Sequence, residues 1–330
     1  MQNIGVLGAG AFGTAMAIIA RRAGRSVTIW AHEPEVVEAI NVRHENEIFL
    51  AGYSLDPEIR ATSDLGDVCA NDAVIIAVPT VFLRSVVTAA ARHWRPDVPA
   101  MICSKGVEQD SCKLMSEVVA DCLGPETVIA SMGGPTFAKE LAADRPSAAT
   151  LACPDLEMAK RLSNALASPN FRTFVTDDII GTQLGGATKN VIAIACGVVA
   201  GKELGDNARA ALITRGLSEI HDLGLVLGAQ PHTLMGLSCL GDLSLTCNAM
   251  QSRNFSVGYR LGQGETLEHI MGGGRKTVAE GVPNAETVTE LARRNQVDMP
   301  ICLAVEAVLA VEADLDSIIH GLLSRPITDE

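Results

Sequence analysis

The stretch NIGVLGAGAFGTAMAIIARRAG, residues 3–24, decides how the first half of the chain folds. Its opening NIGVLG is a short apolar run ending in glycine, which reads as a buried strand. Ala11 to Gly24 then carries helical spacing and stops at a glycine. Between the two lies Gly8-Ala9-Gly10-Ala11-Phe12-Gly13, a G-x-G-x-x-G. A lone motif of this kind is weak. With a strand before it and a helix after it, it matches the turn that cradles dinucleotide phosphates. Gly8 permits the tight turn, Gly10 lets the backbone approach a pyrophosphate, and Gly13 lets helix and strand pack closely. The helix start adds free N–H groups and the positive end of its dipole.

The same alternation continues outward. SVTIWA is a second strand, followed by a helix from Glu35 to Arg43 and a short strand near Ile59. Asp72–Val78 is a buried strand and Phe82–Arg92 a helix. AMICSKG, a helix over Ser111–Leu123 and TVIASMG come next, then SAATLAC and FRTFVT with the helix Leu156–Ala167 between them. Strands alternating with helices predict a parallel, doubly wound Rossmann-type sheet covered on both faces. After Val175 the strand signal ends. Asp177-Asp178 is placed to cap a long helix, and further helices are expected at Asn207–Leu227, Ser256–Gly262, Glu286–Asn295, Ile301–Glu312 and Asp316–Leu323. The expected division is an α/β domain over 1–176 and an all-α domain over 177–330, with Gly272–Arg275 as a flexible loop.

The second strand does not decide between the two nicotinamide dinucleotides. It runs VTIWAHEP, with Trp30 and Ala31 at the tip where a ribose-binding acid usually stands. Glu33, 20 residues after Gly13, can take the ribose hydroxyls; His32 or a nearby arginine can accept a 2′-phosphate.

Composition excludes several classes. The 330 residues hold 26 Lys and Arg against 39 Asp and Glu, a net charge of −13. Such a surface repels nucleic acid and anionic lipid, so cations for a small anion must be gathered locally. There are only seven lysines, which makes any lysine inside a motif informative. Nine cysteines, an odd number without a C-x-x-C pair, fit buried thiols of a cytosolic protein rather than a disulfide framework or a metal site. No metal is expected. The first apolar segment carries the glycine motif instead of a leader pattern. The uncharged run Leu223–Gly241 contains glycines and Pro231, so it reads as helix, break and loop and not as a membrane span.

The second half poses one puzzle, QLGGATKNVIAIACGVV at 183–199, whose only charge is Lys189. On a helix, Lys189 shares its face with Gly185, Gly186, Ile192 and Ala193, and more distantly with Thr182 and Cys196. Glycine inside a helix costs about 1 kcal/mol relative to alanine, so two in a row need a packing or functional reason. Either another element packs closely there and Lys189 snorkels to water, or a ligand lies on the small face and Lys189 points at it. A buried lysine has a lowered pKa and can exchange a proton near neutral pH. Three other features stay open on residues alone. Lys105, directly after a strand, is either a solvated loop residue or a cation beyond the sheet's carboxyl edge. Asp242, among apolar residues, is a turn cap or the partner of a buried cation such as Lys189. Ser252-Arg253-Asn254 is a polar turn or an anion site. Gly133-Gly134-Pro135-Thr136 follows a strand and offers backbone N–H groups to an oxygen-rich ligand.

Taken together, GAGAFGTAMA, AVPT, SKGVE, GGPTFAKELA, QLGGATKNVIAIACG, NARAALITRGLSEI, CLGDLSLTC, QSRN and VAEGV run in order along nearly the whole chain. This series resembles the bacterial NAD(P)-dependent glycerol-3-phosphate dehydrogenases. The resemblance implies an oxidoreductase with NADPH or NADH as cofactor, a helical domain of the 6-phosphogluconate dehydrogenase type, and dihydroxyacetone phosphate and sn-glycerol 3-phosphate as substrate pair. It implies that Lys189 moves the proton of the 2-hydroxyl, that Asn190 holds substrate oxygens, and that Asp242 holds substrate or orients that lysine. Lys105 is implied to touch substrate and cofactor, Gly134 and Thr136 substrate, and Ala138 cofactor. Ser252, Arg253 and Asn254 are implied to bind the phosphate, with Arg253 also near the nucleotide. Ala11, Phe12 and His32 join the glycines in the cofactor site, and Val278 and Glu280 close over it. A cytoplasmic, homodimeric enzyme supplying glycerophospholipid synthesis is the expectation that follows. The chain departs from the family in MGGGRKTVAEG, with three glycines before Arg275-Lys276, and in Gly133, where serine is frequent. Two competing readings share parts of this pattern: a 3-hydroxyacid or ketopantoate-type dehydrogenase, and a non-catalytic nucleotide-binding regulator. The first lacks need of Lys105 and the QSRN group, the second of a Lys189–Asp242 pair.

Overall fold

A computed structural model of the chain describes residues 1–272, 279–310 and 314–324. Eight strands alternate with helices in the first part. They are β1 (Asn3–Leu7), β2 (Ser26–Trp30), β3 (Ile59–Thr62), β4 (Ala73–Ile76), β5 (Ala100–Ile102), β6 (Ile129–Gly133), β7 (Ser147–Ala152) and β8 (Phe171–Thr176). The helices among them are α1 (Ala11–Arg22), α2 (Pro34–Glu38), α3 (Leu65–Cys69), α4 (Thr80–Ala91), α5 (Met115–Leu123), α6 (Ala138–Ala142) and α7 (Leu156–Leu166). The strands form one sheet in the order β3-β2-β1-β4-β5-β6-β7-β8. β1 and β4 run parallel, but strands are added to one side of β1 before this point and to the other side after it, which opens the crevice where such sheets bind ligands.

The sheet is not wholly parallel. β7 runs antiparallel to β6, and β8 is parallel to β7. The expected all-parallel sheet fails here: after the five-residue α6 the chain returns alongside β6 instead of crossing to the far end of the sheet. Two smaller corrections concern helices. The helix expected from Ser111 begins at Met115, and the one expected over Glu35–Arg43 is α2 followed by a π turn, Ala39–Arg43.

The sheet buries apolar residues on both faces. Met16, Ile19 and Leu162 lie on one side, and Leu83, Val87 and Val118 on the other. The last strand ends at Thr176, and Asp178 then caps α8 (Ile179–Gly201) by accepting from Gly181 N at 2.8 Å. α9 (Asp206–Leu227), α10 (Pro231–Leu234), α11 (Asp242–Cys247), α12 (Arg253–Gly262), α13 (Leu267–Met271), α14 (Gly281–Arg294), α15 (Pro300–Leu309) and α16 (Leu315–Leu323) complete the described chain. α8 is apolar on every side and buried, as an all-round hydrophobic helix must be. By length and composition it could cross a membrane, but most of it lies inside this protein. The run expected as loop after Gly228 is helical instead: α10, a π turn over Leu237–Gly241, and α11.

Candidate active site

The glycine turn has the shape the motif requires. Gly8 sits at φ 113°, where a side chain would be strained. A Cβ on Gly13 would lie 1.9 Å from the Gly8 carbonyl oxygen, so this position must be glycine for α1 to meet β1. A Cβ on Gly10 would meet no protein atom within 4 Å. Gly10 is also the N-cap of α1 and has no side chain to satisfy the N–H groups of its first turn. An open approach to uncapped donors at a helix start fits a pyrophosphate. Ala11 and Phe12 are half-buried in that first turn, and His32 is exposed just beyond β2, its ring 6.1 Å from that of Trp30.

The substrate side is built on α8 and α12, which cross in close contact. A Cβ on Gly197 would lie 2.1 Å from Phe255 O, and one on Gly258 would lie 1.9 Å from Ile194 O. One turn further, Gly201 faces Tyr259 O at 2.1 Å and Gly262 faces Val198 O at 2.6 Å on the same test. Each helix thus carries a G-x-x-x-G edge, and the backbones meet without side chains between them. This close crossing brings the start of α12 to the middle of α8. Ser252 caps α12, accepting from Phe255 N at 3.3 Å, and Arg253 is its first residue. Asn254 Nδ2 donates to Asn190 Oδ1 at 2.7 Å, and Asn254 Oδ1 accepts from Gly281 N at 2.9 Å.

Lys189 does not snorkel. It is 6% exposed, and its Nζ donates to Asp242 Oδ1 at 2.7 Å and to Thr246 Oγ1 at 2.8 Å. The other oxygen of Asp242 accepts from Lys105 Nζ at 2.7 Å, and Lys105 also donates to Gly134 O at 3.3 Å. One carboxylate, 1% exposed, therefore holds two ammonium groups, one from each half of the molecule. An ammonium has three donors. Lys189 spends two of them on Asp242 and Thr246, which fixes the direction of the third.

Electrostatics tune this cluster toward proton exchange. Burial pushes the Lys189 ammonium down to about 8; Asp242 opposes the shift and the charge of Lys105 adds to it. Glu280 lies close to the same charges. Burial raises its carboxyl, while Lys105, Lys189 and Arg253 pull it back down. The neighbouring thiols are bystanders: burial pushes Cys103 and Cys239 up to about 12, so neither is a thiolate nucleophile near neutral pH.

Of the residues expected from sequence, hydrogen bonds join Lys105, Gly134, Thr136, Lys189 and Asp242 in one set and Asn190 and Asn254 in another. Gly134, at φ 151°, faces Lys105 through its carbonyl, and Thr136 Oγ1 donates back to that same carbonyl at 3.1 Å. Ala138 starts α6 and packs on the sheet core. Of the two readings of Gly185 and Gly186, the close packing of another element is the one observed. The room beside Gly185 is filled by Cys239, whose Cβ would be 2.6 Å from an added Cβ, and that beside Gly186 by the Lys105 stem at 3.3 Å. Asn254, expected on the phosphate, commits both ends of its amide to Asn190 and Gly281. Val278 and the run Gly273–Lys276 lie outside the described residues. Thr246 was absent from the sequence reading; its place four residues after Asp242, on one helical face, was the available signal. Among the described residues no cluster of His, Cys, Asp and Glu could hold a metal ion.

A glycine turn of dinucleotide-binding shape on the sheet and a buried lysine held by a carboxylate match the class of two-domain nicotinamide-dependent oxidoreductases. Residues 3–159 match the family model for the NAD-dependent glycerol-3-phosphate dehydrogenase N-terminus and residues 178–320 the model for its C-terminus. The chain belongs to the NAD-dependent glycerol-3-phosphate dehydrogenase family. It is 53% identical to the glycerol-3-phosphate dehydrogenase [NAD(P)+] of Rhodospirillum rubrum, over all of this chain and 94% of that one. It is 51% identical to the enzyme of the same name from Caulobacter vibrioides, over all of this chain and 99% of that one. The crystal structure of glycerol-3-phosphate dehydrogenase from Coxiella burnetii superposes with a TM-score of 0.93 at 35% identity, covering 98% of this chain and 99% of the other.

Proposed function

We propose that this enzyme reduces dihydroxyacetone phosphate to sn-glycerol 3-phosphate, and that Lys189 is its acid and base. The observation that carries the reading is the pair of contacts on Asp242, one to Lys189 and one to Lys105, each at 2.7 Å. When bound, the reduced nicotinamide supplies hydride to the carbonyl carbon. Gly8, Gly10, Ala11, Phe12 and Gly13 hold its pyrophosphate, His32 its adenosine end, and Ala138, Arg253 and Glu280 the remainder. Lys189 gives its proton to the carbonyl oxygen, and in the oxidative direction the neutral amine takes it back. Asp242 and Thr246 aim the ammonium, which holds down the entropy cost of reaching the transition state. Lys105 offers a second positive charge to the developing alkoxide. Ser252 and Arg253 take the phosphate, where a guanidinium can bind two oxygens at once. Asn190 contacts the hydroxyls.

A carboxylate substrate of the 3-hydroxyacid or ketopantoate type would use the same turn and lysine. An arginine suits either anion; the 53% identity to a glycerol-3-phosphate dehydrogenase [NAD(P)+] is what favours a phosphate ester. On the same reading the enzyme works as a cytoplasmic homodimer whose product feeds glycerophospholipid synthesis; nine free thiols fit a reducing compartment. The test is oxidation of NADPH and NADH with dihydroxyacetone phosphate and, in parallel, with dihydroxyacetone. Turnover confined to the phosphorylated ketone is expected. Equal kcat/KM for the two ketones would refute the phosphate site.

A further inference from the structure

Lys105 belongs to the sheet half, whereas Asp242 and Lys189 belong to the helical half. The 2.7 Å contact of Lys105 with Asp242 crosses from one half to the other, so it requires the two halves to be held in register to a fraction of an ångström. The first turn of α14 is placed to do this. It is locked to the helical half at Gly281, whose N–H donates to Asn254 Oδ1 at 2.9 Å. A Cβ on Gly281 would lie 2.5 Å from Asn190 O, so α14 starts in direct backbone contact with the residue next to Lys189. Three residues on, and on the same helical face, is Asn284.

Asn284 is 1% exposed and points at the sheet half. Its Nδ2 donates to the Lys105 carbonyl at 3.2 Å. Its Oδ1 occupies the space beside Gly106, 2.6 Å from where a Cβ would be, with the Thr80 methyl closing the other side at 2.7 Å. A buried amide is costly unless its hydrogen bonds are made, and this one is spent on the backbone of a residue that carries a site cation. We infer that Asn284 is a positioning residue: it clamps the Lys105-Gly106 turn to the frame of Lys189, so that the Lys105 ammonium reaches Asp242 and the substrate. The inference rests on the reading of dihydroxyacetone phosphate as substrate.

The test compares the full-length enzyme with Asn284→Ala, Asn284→Asp, Lys105→Ala and the double variant Lys105→Ala/Asn284→Ala. Asn284→Asp keeps the shape and loses the donor, and it carries the test if Asn284→Ala does not fold. Wild-type turnover of dihydroxyacetone phosphate is the control for the substrate reading; its absence refutes that reading by itself. With that control positive, Asn284→Ala and Asn284→Asp are expected to raise KM for dihydroxyacetone phosphate about tenfold, with kcat falling less, because a misplaced binding group costs at least that much. In the Lys105→Ala background the Asn284 substitution is expected to add less than about twofold, since both act through one group. An unchanged KM in either single variant overturns the inference. So does a loss that adds in full on top of Lys105→Ala, which would mark a general structural role.

Discussion

Two sets of glycines do opposite work in this molecule. At Gly10 the missing side chain leaves a space that no protein atom enters, and the backbone there stays open to a ligand. At Gly197 and Gly258 the missing side chain leaves a space that another helix fills with its own backbone, to about 2 Å of where a Cβ would stand. The first leaves room that the proposed cofactor would use; the second makes room for protein. On the proposed reading both serve one reaction: the turn at Gly8–Gly13 would hold the nucleotide, while the α8–α12 crossing brings Asn254 onto Asn190, next to Lys189. The meaning of a glycine is thus decided by what lies opposite, which is a tertiary fact.

The largest effect is expected from removing what the packed region delivers. Lys189→Ala should lower turnover by about a thousandfold, the range set by losing a general acid. Nucleotide binding, followed by fluorescence titration, should persist, since the lysine sits on the substrate side. Turnover near that of the wild type would remove Lys189 from the chemistry.

Next comes the contrast between the glycines. Gly258→Ala places a methyl on the Ile194 carbonyl and must force α8 and α12 apart. It should cost about 3 kcal/mol or more of stability, as overpacking of a rigid core does, read as a fall in Tm. Gly10→Ala should leave Tm nearly unchanged and weaken NADPH and NADH binding about tenfold or more, because its methyl enters the ligand's space. If both variants lose stability alike, the distinction between the two sets fails. A smaller effect is expected at Arg253. Arg253→Ala should raise KM for dihydroxyacetone phosphate about tenfold to a hundredfold, the scale of a lost charge-assisted hydrogen bond.

How much of this was legible follows the same line. Gly8–Gly13, the Asp178 cap and the anomaly of Lys189 are local patterns, and periodicity exposes them. The pairing of Gly197 and Gly201 with Gly258 and Gly262 is not local. Helical spacing tells which residues share a face of one helix, but not which helix that face meets. The same blindness left open whether protein or a ligand covers Gly185 and Gly186, where Cys239 and the Lys105 stem in fact pack. It also hid Thr246, whose hydroxyl matters only because α11 turns it onto Lys189. The antiparallel β7 escaped because alternation of strand and helix carries no sign of direction. The roles of Lys105, Asp242 and Arg253 rested on resemblance, since each residue alone admitted a plainer reading.

The finest test is the proton itself. In the folded enzyme Lys189 titrates near 8, so reduction, which needs the ammonium, should fall as pH rises through that value. Oxidation, which needs the amine, should rise over the same range. The groups that face Lys189 set the position of this midpoint: Asp242 and Thr246 from α11, Lys105 from the turn after β5, Glu280 from the approach to α14, and the protonated Cys247 at the end of α11. Asp242 raises the midpoint and Lys105 lowers it. Asp242→Asn should therefore move the alkaline limb of kcat for reduction downward, by about one unit, and Lys105→Met should move it upward by a similar amount. Both variants will be slow, but the limb is read from the shape of the profile and not from its height. Shifts in the same direction would mean that the limb reports another group, and would separate Lys189 from the titration even if its removal abolished turnover.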